Sequence, residues 1–276
     1  MKDRAYAKVN LSLDILRRRE DGYHELRSVM VPIDFYDVLE IKKAKEPSYS
    51  SNRRYIFWNE NNTILKMISA VKRRYGIRDE FEINLEKSIP SQAGLAGGSA
   101  DGAAALRILE RMYHLHLSEE EIVELCREVG SDVLFTYYNS PALVEGTGEK
   151  LSFFDIEEDW YVLLVKPSAG VSTKESYQTL DLTKCAHPDV PGLKKALEEG
   201  RDPFPYMGNS LEQPAELLCP EVDRVKQLLK KEGAAHALMS GSGSTVFTLS
   251  KDRAEIMKLY ENMKKYGLFT RFAKLL

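Results

Sequence analysis

The chain has 276 residues, of which 43% are hydrophobic and 29% are charged, and its formal net charge is −3 at pH 7. This composition is typical of a globular protein with a sizeable core, in two modest domains or one large one. The absence of a long basic block argues against a nucleic-acid polymer as the main partner. No apolar run reaches the roughly 18 residues that a membrane span needs.

The N-terminus and the cysteines indicate a compartment. The first residues lead into an alternating segment and not into the apolar core of a secretory signal. The three cysteines, Cys126, Cys185 and Cys219, are odd in number and far apart. Such cysteines are typical of free thiols in a reducing compartment and not of a disulfide framework. We therefore expect a cytoplasmic protein.

Alternation of polar and apolar residues predicts the strands. In residues 5–15 the apolar side chains would face one side, with Lys8 and Asn10 together on the other. Further extended segments are predicted over residues 29–43, 81–85, 142–154, 160–166 and 245–249.

Apolar residues at helical spacing predict the helices, over residues 62–75, 99–113, 118–129, 191–199, 211–218 and 221–232. Gly76 would end the first helix, and Ser118 with Glu121 would form a capping box. A further helix and strand complete the chain. This mixture predicts an α+β fold and not a parallel α/β sheet. The loop-like region around 155–159 predicts domains of residues 1–156 and 157–276.

A glycine-rich turn follows the strand predicted at 81–85 and opens directly into a helix. Gly94, Gly97 and Gly98 would let the backbone approach a ligand closely, and the N–H groups of a helix start favour an anion. The segment is neither a Walker A loop nor a GxGxxG fingerprint. A tight connection alone would also use glycines, but three glycines, Ser99 and a helix start together favour a phosphate cradle.

Several segments resemble the GHMP kinases, in that family's order along the chain. Residues 90–104 are similar to its second motif, the loop that wraps the ATP phosphates. Residues 130–133 resemble its catalytic segment, and residues 239–247 resemble its third motif. Residues 7–11 and 21–26 are similar to the N-terminal signature of a subfamily that phosphorylates a cytidylyl polyol. The resemblance implies a two-domain GHMP kinase fold, with an S5 domain 2-like N-terminal domain and a ferredoxin-like C-terminal domain.

The resemblance also implies a catalytic pair, Lys8 and Asp132. Asp132 would orient the acceptor hydroxyl or take its proton, while Lys8 would keep that carboxylate ionised and assist the phosphoryl group. Taken alone, Asp132 would be interpreted as a helix or turn cap, and Lys8 as a solvated strand lysine.

Binding residues are implied in the same way. ATP would be held by Asn62, Lys87, Pro90, Gly94, Leu95, Ala96, Gly97, Gly98 and Ser99. The substrate would be held by Asn10, Tyr23, His24 and Tyr177. Asn10 would contact the diphosphate or the polyol, and the aromatic residues would contact the cytidine. Simple partial burial is the alternative for the tyrosines, and a structural role is the alternative for His24.

The implied cofactors are ATP and Mg²⁺. No carboxylate cluster accompanies His114 and His116, so we predict no metal site built by the protein alone. Mg²⁺ would be held mainly by the phosphates, with Ser99 as a contributing side chain.

The match departs from the family pattern at four positions. A second serine is expected at Ala100, prolines at Leu134 and Ser244, and aspartate at Ser210. These departures bear on substrate affinity and on the phosphate contacts.

The implied reaction transfers the γ-phosphate of ATP to the 2-hydroxyl of 4-diphosphocytidyl-2-C-methyl-D-erythritol, in non-mevalonate isoprenoid precursor biosynthesis. Another GHMP kinase, acting on homoserine, mevalonate or a sugar, is one alternative, and Tyr23 with His24 argues against it. A non-catalytic nucleotide or metabolite sensor is the other, and Lys8 with Asp132 argues against it. The expected partner is a small molecule and not a membrane, and the protein is expected to be a monomer or a weak homodimer.

Overall fold

In a computed structural model that describes residues 1–276, the chain forms eleven strands and nine α-helices. The strands are β1 (Lys2–Arg18), β2 (His24–Ala44), β3 (Ser48–Ser51), β4 (Glu80–Glu86), β5 (Ala142–Gly146), β6 (Lys150–Phe153), β7 (Tyr161–Lys166), β8 (Gly208–Asn209), β9 (Leu238–Met239), β10 (Val246–Ser250) and β11 (Phe269–Lys274). The helices are α1 (Thr63–Tyr75), α2 (Gly97–Tyr113), α3 (Glu119–Val129), α4 (Val133–Tyr138), α5 (Thr173–Thr179), α6 (Val190–Glu198), α7 (Glu212–Leu218), α8 (Glu221–Lys231) and α9 (Arg253–Lys264). No helix is both long enough and apolar enough to cross a bilayer.

The elements form two compact units, neither of them continuous in sequence. The first unit contains residues 1–7, 35–90 and 96–139, and the second contains residues 8–34, 91–95 and 140–276. Strands β1 and β2 therefore contribute residues to both units. These units are groups of residues in contact with one another. The predicted domains of residues 1–156 and 157–276 stay a prediction.

In the first unit, a sheet in the order β3-β4-β2-β1 is accompanied by α1, α2, α3 and α4. Strands β2 and β4 are antiparallel from Val38 opposite Glu86 to Ala44 opposite Glu80. The alternation predicted for β4 is confirmed, since its apolar residues are buried and its glutamates are not. Helix α1 packs against α2 and α3, as its amphipathic spacing requires.

The helix ends predicted at Gly76 and Ser118 are confirmed, whereas α2 begins at Gly97 and not at the predicted residue 99. Asn62 caps α1, and Gly76 follows that helix in the left-handed conformation with φ of 66°. Ser118 and Glu121 form the capping box of α3, each satisfying a backbone N–H of the other.

The second unit contains a four-stranded sheet in the order β11-β7-β10-β9. Its central strand β7 is antiparallel to both β10 and β11, and five of its six residues are buried. Residues of α7, α8 and α9 fill the core beside this sheet, among them Ala215, Val225 and Ile256. Antiparallel strands with helices confirm the predicted α+β class.

The sequence did not predict several short elements correctly. The single extended stretch predicted at 142–154 is the hairpin of β5 and β6, with a turn at which Gly146 has φ of 75°. Strand β3 and helices α4 and α5 were not predicted. Strand β3 has four residues and helices α4 and α5 have six and seven, so none of the three offers more than about two repeats of its period.

Candidate active site

Lys8 and Asn10 lie side by side on β1, on the polar face that the alternation predicted. Lys8 Nζ donates to Asn10 Oδ1 at 2.5 Å and to the carbonyl oxygen of Gly94 at 3.0 Å. Lys8 is only 3% exposed. It is therefore not a solvated strand lysine, and its ammonium lies at the glycine-rich segment.

Two serines that sequence reasoning did not select complete this arrangement. Ser28 Oγ accepts from Asn10 Nδ2 at 2.8 Å, which orients the amide so that its oxygen faces Lys8. Ser240 Oγ accepts from the backbone N–H of Asn10 at 3.2 Å and donates to the carbonyl of Gly94 at 3.0 Å. Ser240 belongs to the third GHMP-like motif, which was the available signal. Nothing in the sequence singled out Ser28.

The third motif is held against Lys8 by Asn209. Asn209 Nδ2 donates to the carbonyl oxygens of Met239 and Gly241, both at 2.8 Å. Gly241 has φ of 55°, and a Cβ there would lie 3.1 Å from Asn10 Oδ1 and 3.2 Å from Lys8 Nζ. Only glycine combines this conformation with so close an approach.

The glycine-rich loop begins helix α2 without a side-chain cap. Ala96 is the N-cap residue, with φ of 55° and no capping hydrogen bond from its side chain. The first N–H groups of a helix have no acceptor inside the helix. Those of Gly97, Gly98 and Ser99 are therefore suited to an anion, which the helix dipole also favours.

Asn62 and Thr63 connect helix α1 to neighbouring backbone. The Asn62 oxygen accepts from the N–H groups of Ile64 and Leu65, and its Nδ2 donates to Phe57 O at 3.1 Å. Thr63 Oγ1 donates to Gly98 O at 2.5 Å. The amide of Asn62 is thus a helix cap, and its contact with ATP stays a prediction.

Lys87 has a buried ammonium between two aspartates. Its Nζ donates to Asp37 Oδ2 at 2.5 Å and to Asp101 Oδ2 at 2.6 Å. Its backbone N–H and carbonyl are both bonded to the side chain of Asn52. Burial and the second carboxylate of Asp37 raise the pKa of Asp101, against the opposing effect of the Lys87 ammonium. The predicted ATP contact of Lys87 stays a prediction.

Asp132 belongs to the first unit, at the N-cap position of α4. It makes no capping hydrogen bond with its side chain. Asp132 is therefore not a side-chain cap of α4, while its alternative as a turn cap and its catalytic role both stay predictions.

The aromatic residues predicted to contact the base are only partly brought together. The rings of His24 and Tyr177 lie 5.0 Å apart between centroids, at 33°. Burial, with a smaller contribution from Arg18, lowers the pKa of His24, so its imidazole is neutral at neutral pH. Tyr23 is 68% exposed, so its ring is not a core residue.

The departures from the family pattern have structural partners. Ser244 Oγ donates to Ala169 O at 2.6 Å, a bond that proline could not make. Ser210 Oγ accepts from the N–H of Ile15 and donates to Ala186 O at 2.7 Å. Ala100 and Leu134 are buried. A serine hydroxyl at residue 100 would therefore need a hydrogen-bond acceptor inside the protein.

No cluster of three or more His, Cys, Asp or Glu side chains is arranged to hold a metal ion. All three cysteines are free, as the sequence predicted.

Comparisons with known proteins agree along the whole chain. The family model described as GHMP kinases N terminal domain matches residues 62–140, and the one described as GHMP kinases C terminal matches residues 179–267. The protein of Bacillus subtilis (strain 168) named 4-diphosphocytidyl-2-C-methyl-D-erythritol kinase is 40% identical, over 96% of this chain and 93% of its own. One of that name from Caldicellulosiruptor saccharolyticus is 38% identical, over 95% and 92%.

Solved structures give the same result for the fold. A crystal structure titled 4-(cytidine 5'-diphospho)-2C-methyl-D-erythritol kinase superposes with a TM-score of 0.84 at 30% identity, covering 100% of this chain and 99% of the other. Homoserine kinase from Cytophaga hutchinsonii gives 0.74 at 18% identity, covering 98% and 94%, a similarity of fold alone.

The fold, the glycine-rich helix start and these relatives define a class: the chain belongs to the GHMP kinase family. It is an ATP-dependent small-molecule kinase with the α+β GHMP kinase fold. Among that family, its near-full-length relatives are the kinases named for a cytidylyl polyol.

Proposed function

We propose that the protein phosphorylates the 2-hydroxyl of 4-diphosphocytidyl-2-C-methyl-D-erythritol with ATP, a step towards isoprenoid precursors. The observation that carries this proposal is the 40% identity, over 96% of the chain, to a kinase named for that substrate. The facing rings of His24 and Tyr177 support it, because a cytosine base can stack on such a surface and homoserine or mevalonate cannot.

The proposed catalytic residues are Lys8 and Asp132. Asp132 accepts the proton of the 2-hydroxyl while the hydroxyl oxygen bonds to the γ-phosphorus. The bond from that phosphorus to the bridging oxygen breaks, and ADP leaves. The Lys8 ammonium and the N–H groups at the start of α2 stabilise the charge on the transferring group. The buried contacts of Lys8 with Asn10 and Gly94 support its part, because they hold the ammonium in one position.

Mg²⁺ is part of the proposal. When bound, it would neutralise the charge of the phosphates. The donor set available at the start of α2 is backbone N–H groups and the Ser99 hydroxyl, which suits a phosphate-bound ion better than an ion held by the protein alone.

The test is ADP release by the purified protein with Mg²⁺-ATP and the cytidylyl polyol, beside parallel reactions with homoserine, mevalonate and galactose. We expect turnover with the cytidylyl compound alone. Turnover with homoserine or mevalonate instead would overturn the substrate assignment. ATP binding without turnover on any acceptor would favour the non-catalytic sensor.

A further inference from the structure

The proposed chemistry does not use the cluster of Lys87, Asp37 and Asp101. All three side chains are at most 5% exposed. Removing three charges from water is costly, and an apolar set of the same volume would be about as stable. The position of the cluster in the chain therefore needs another explanation.

The cluster ties together the two ends of the glycine-rich loop. On the entry side, Asp37 Oδ1 accepts from the backbone N–H groups of Ser88 and Ile89, at 2.5 and 2.8 Å. On the exit side, Asp101 lies in the second turn of α2. Lys87 Nζ donates to both carboxylates, so one ammonium joins the strand that enters the loop to the helix that leaves it.

The helix start is pressed against this ammonium. A Cβ at Gly97 would lie 3.0 Å from Lys87 Nζ and 2.8 Å from Ile89 Cγ2. Any side chain at the first residue of α2 would therefore displace Ile89 or Lys87, so glycine at residue 97 lets the helix start lie close to the ammonium.

We propose that this cluster is a clamp that sets the position of the α2 N-terminus for the ATP phosphates, with Asp101 as a positioning residue. The inference rests on the proposed function, in which that N-terminus binds ATP. Fixing the N–H groups before the ligand arrives lowers the ordering cost of binding, and so raises affinity.

The charge of the clamp makes it sensitive to pH. It has two carboxylates for one ammonium, and Asp101 Oδ1 is buried without a hydrogen-bond partner. Lys87 and Asp37 are the charged groups that act on Asp101, and burial is the main cause that raises its pKa, to about 7. Above that pH an ionised Asp101 holds Lys87 by charge, and below it the protonated acid holds Lys87 more weakly.

The test compares the wild-type protein with Asp101→Asn. The dissociation constant of the non-hydrolysable analogue AMPPNP, with Mg²⁺, is measured from about pH 5.5 to about pH 8.5. We expect the variant-to-wild-type ratio to be close to one at the acid end and to rise to the order of tenfold at the alkaline end. Titration of the nucleotide itself cancels in this ratio.

Asp3→Asn is the matched control, because it breaks the ion pair of Asp3 with Arg107 on the same helix α2, at 2.8 Å. Its ratio should stay flat with pH. A flat ratio for Asp101→Asn would overturn the clamp while leaving ATP binding intact. No binding of AMPPNP to the wild-type protein at any pH would overturn the proposed function as well.

A second measurement needs no variant, so it still tests the clamp if Asp101→Asn does not fold. Backbone ¹³C chemical shifts of the wild-type protein are followed across the same pH range. The clamp predicts that the shifts of residues 97–101 change together as Asp101 titrates near about pH 7, while those of residues 107–113 stay constant. Equal behaviour of the two segments would contradict the clamp.

Discussion

Lys8 and Ser240 donate hydrogen bonds to the same acceptor, the carbonyl oxygen of Gly94, each at 3.0 Å. The first strand and the third motif thus meet at the glycine-rich segment. Gly94 itself has φ of 70°, and a Cβ there would overlap the carbonyl oxygen of Ser240. The position of the Lys8 ammonium therefore depends on how closely these backbones approach one another.

Gly241→Ala should disturb that position. Its Cβ would press on Asn10 and Lys8, and we expect kcat to fall by about 10²-fold. Gly233→Ala is the matched control, because Gly233 also has positive φ, 103°, but nothing within 4 Å of a Cβ. Both variants should lose about 1–2 kcal/mol of stability by thermal unfolding. Equal kcat in the two variants would count against close packing at Lys8.

Tyr177→Leu should weaken binding of the cytidylyl substrate and not of ATP. Loss of one stacking partner is worth about 1–3 kcal/mol, so the KM of the polyol should rise roughly tenfold or more while the KM of ATP is unchanged. Tyr161→Leu, which removes a ring stacked on Phe272 at 5.8 Å, is the control and should alter neither KM. An equal rise in both KM values would refute the assignment of Tyr177.

Asp132→Asn should lower kcat by about 10³-fold or more while ATP affinity is kept, because the amide cannot accept the proton of the hydroxyl. Asp252→Asn is the control: Asp252 caps α9 by accepting from Ala254 N–H at 2.7 Å, and asparagine caps about as well. If Asp132→Asn kept its turnover and lost only stability, Asp132 would have a structural role.

The pH dependence of stability should report Asp101. Its pKa is about 7 in the folded protein and 3.8 as the ordinary value, so between these pH values the folded state holds one proton more. The contribution of Asp101 to the free energy of unfolding is complete below about pH 3.8. It is lost as pH rises to about 7, at up to about 1.4 kcal/mol per pH unit. Asp101→Asn lacks this loss, so its stability relative to wild type should rise over that range and level off above it. Chemical denaturation at several pH values measures this, and a constant difference would contradict the raised pKa.

Much of the molecule follows from the sequence because its causes are local. Period-two alternation predicted β4 and the polar face of β1, and Gly76 and Ser118 predicted helix ends through caps that act within four residues. Gly94, Gly97 and Gly98 indicated a phosphate cradle, which stays a prediction. Short elements such as β3 and α4 lack enough residues for a period to be recognised.

Only the tertiary structure decided the contacts between residues that are far apart in the chain. Alternation placed Lys8 on a polar face, but its burial depends on Gly94 and on the third motif. The sequence made Lys87 a neighbour of the loop, whereas packing of β2 and α2 surrounds its ammonium with Asp37 and Asp101. Asp132 occupies a position typical of a helix cap in the sequence, and only the structure shows that its side chain does not cap α4. The pKa and the partners of a buried charge arise from groups that packing brings together, and no local pattern encodes them.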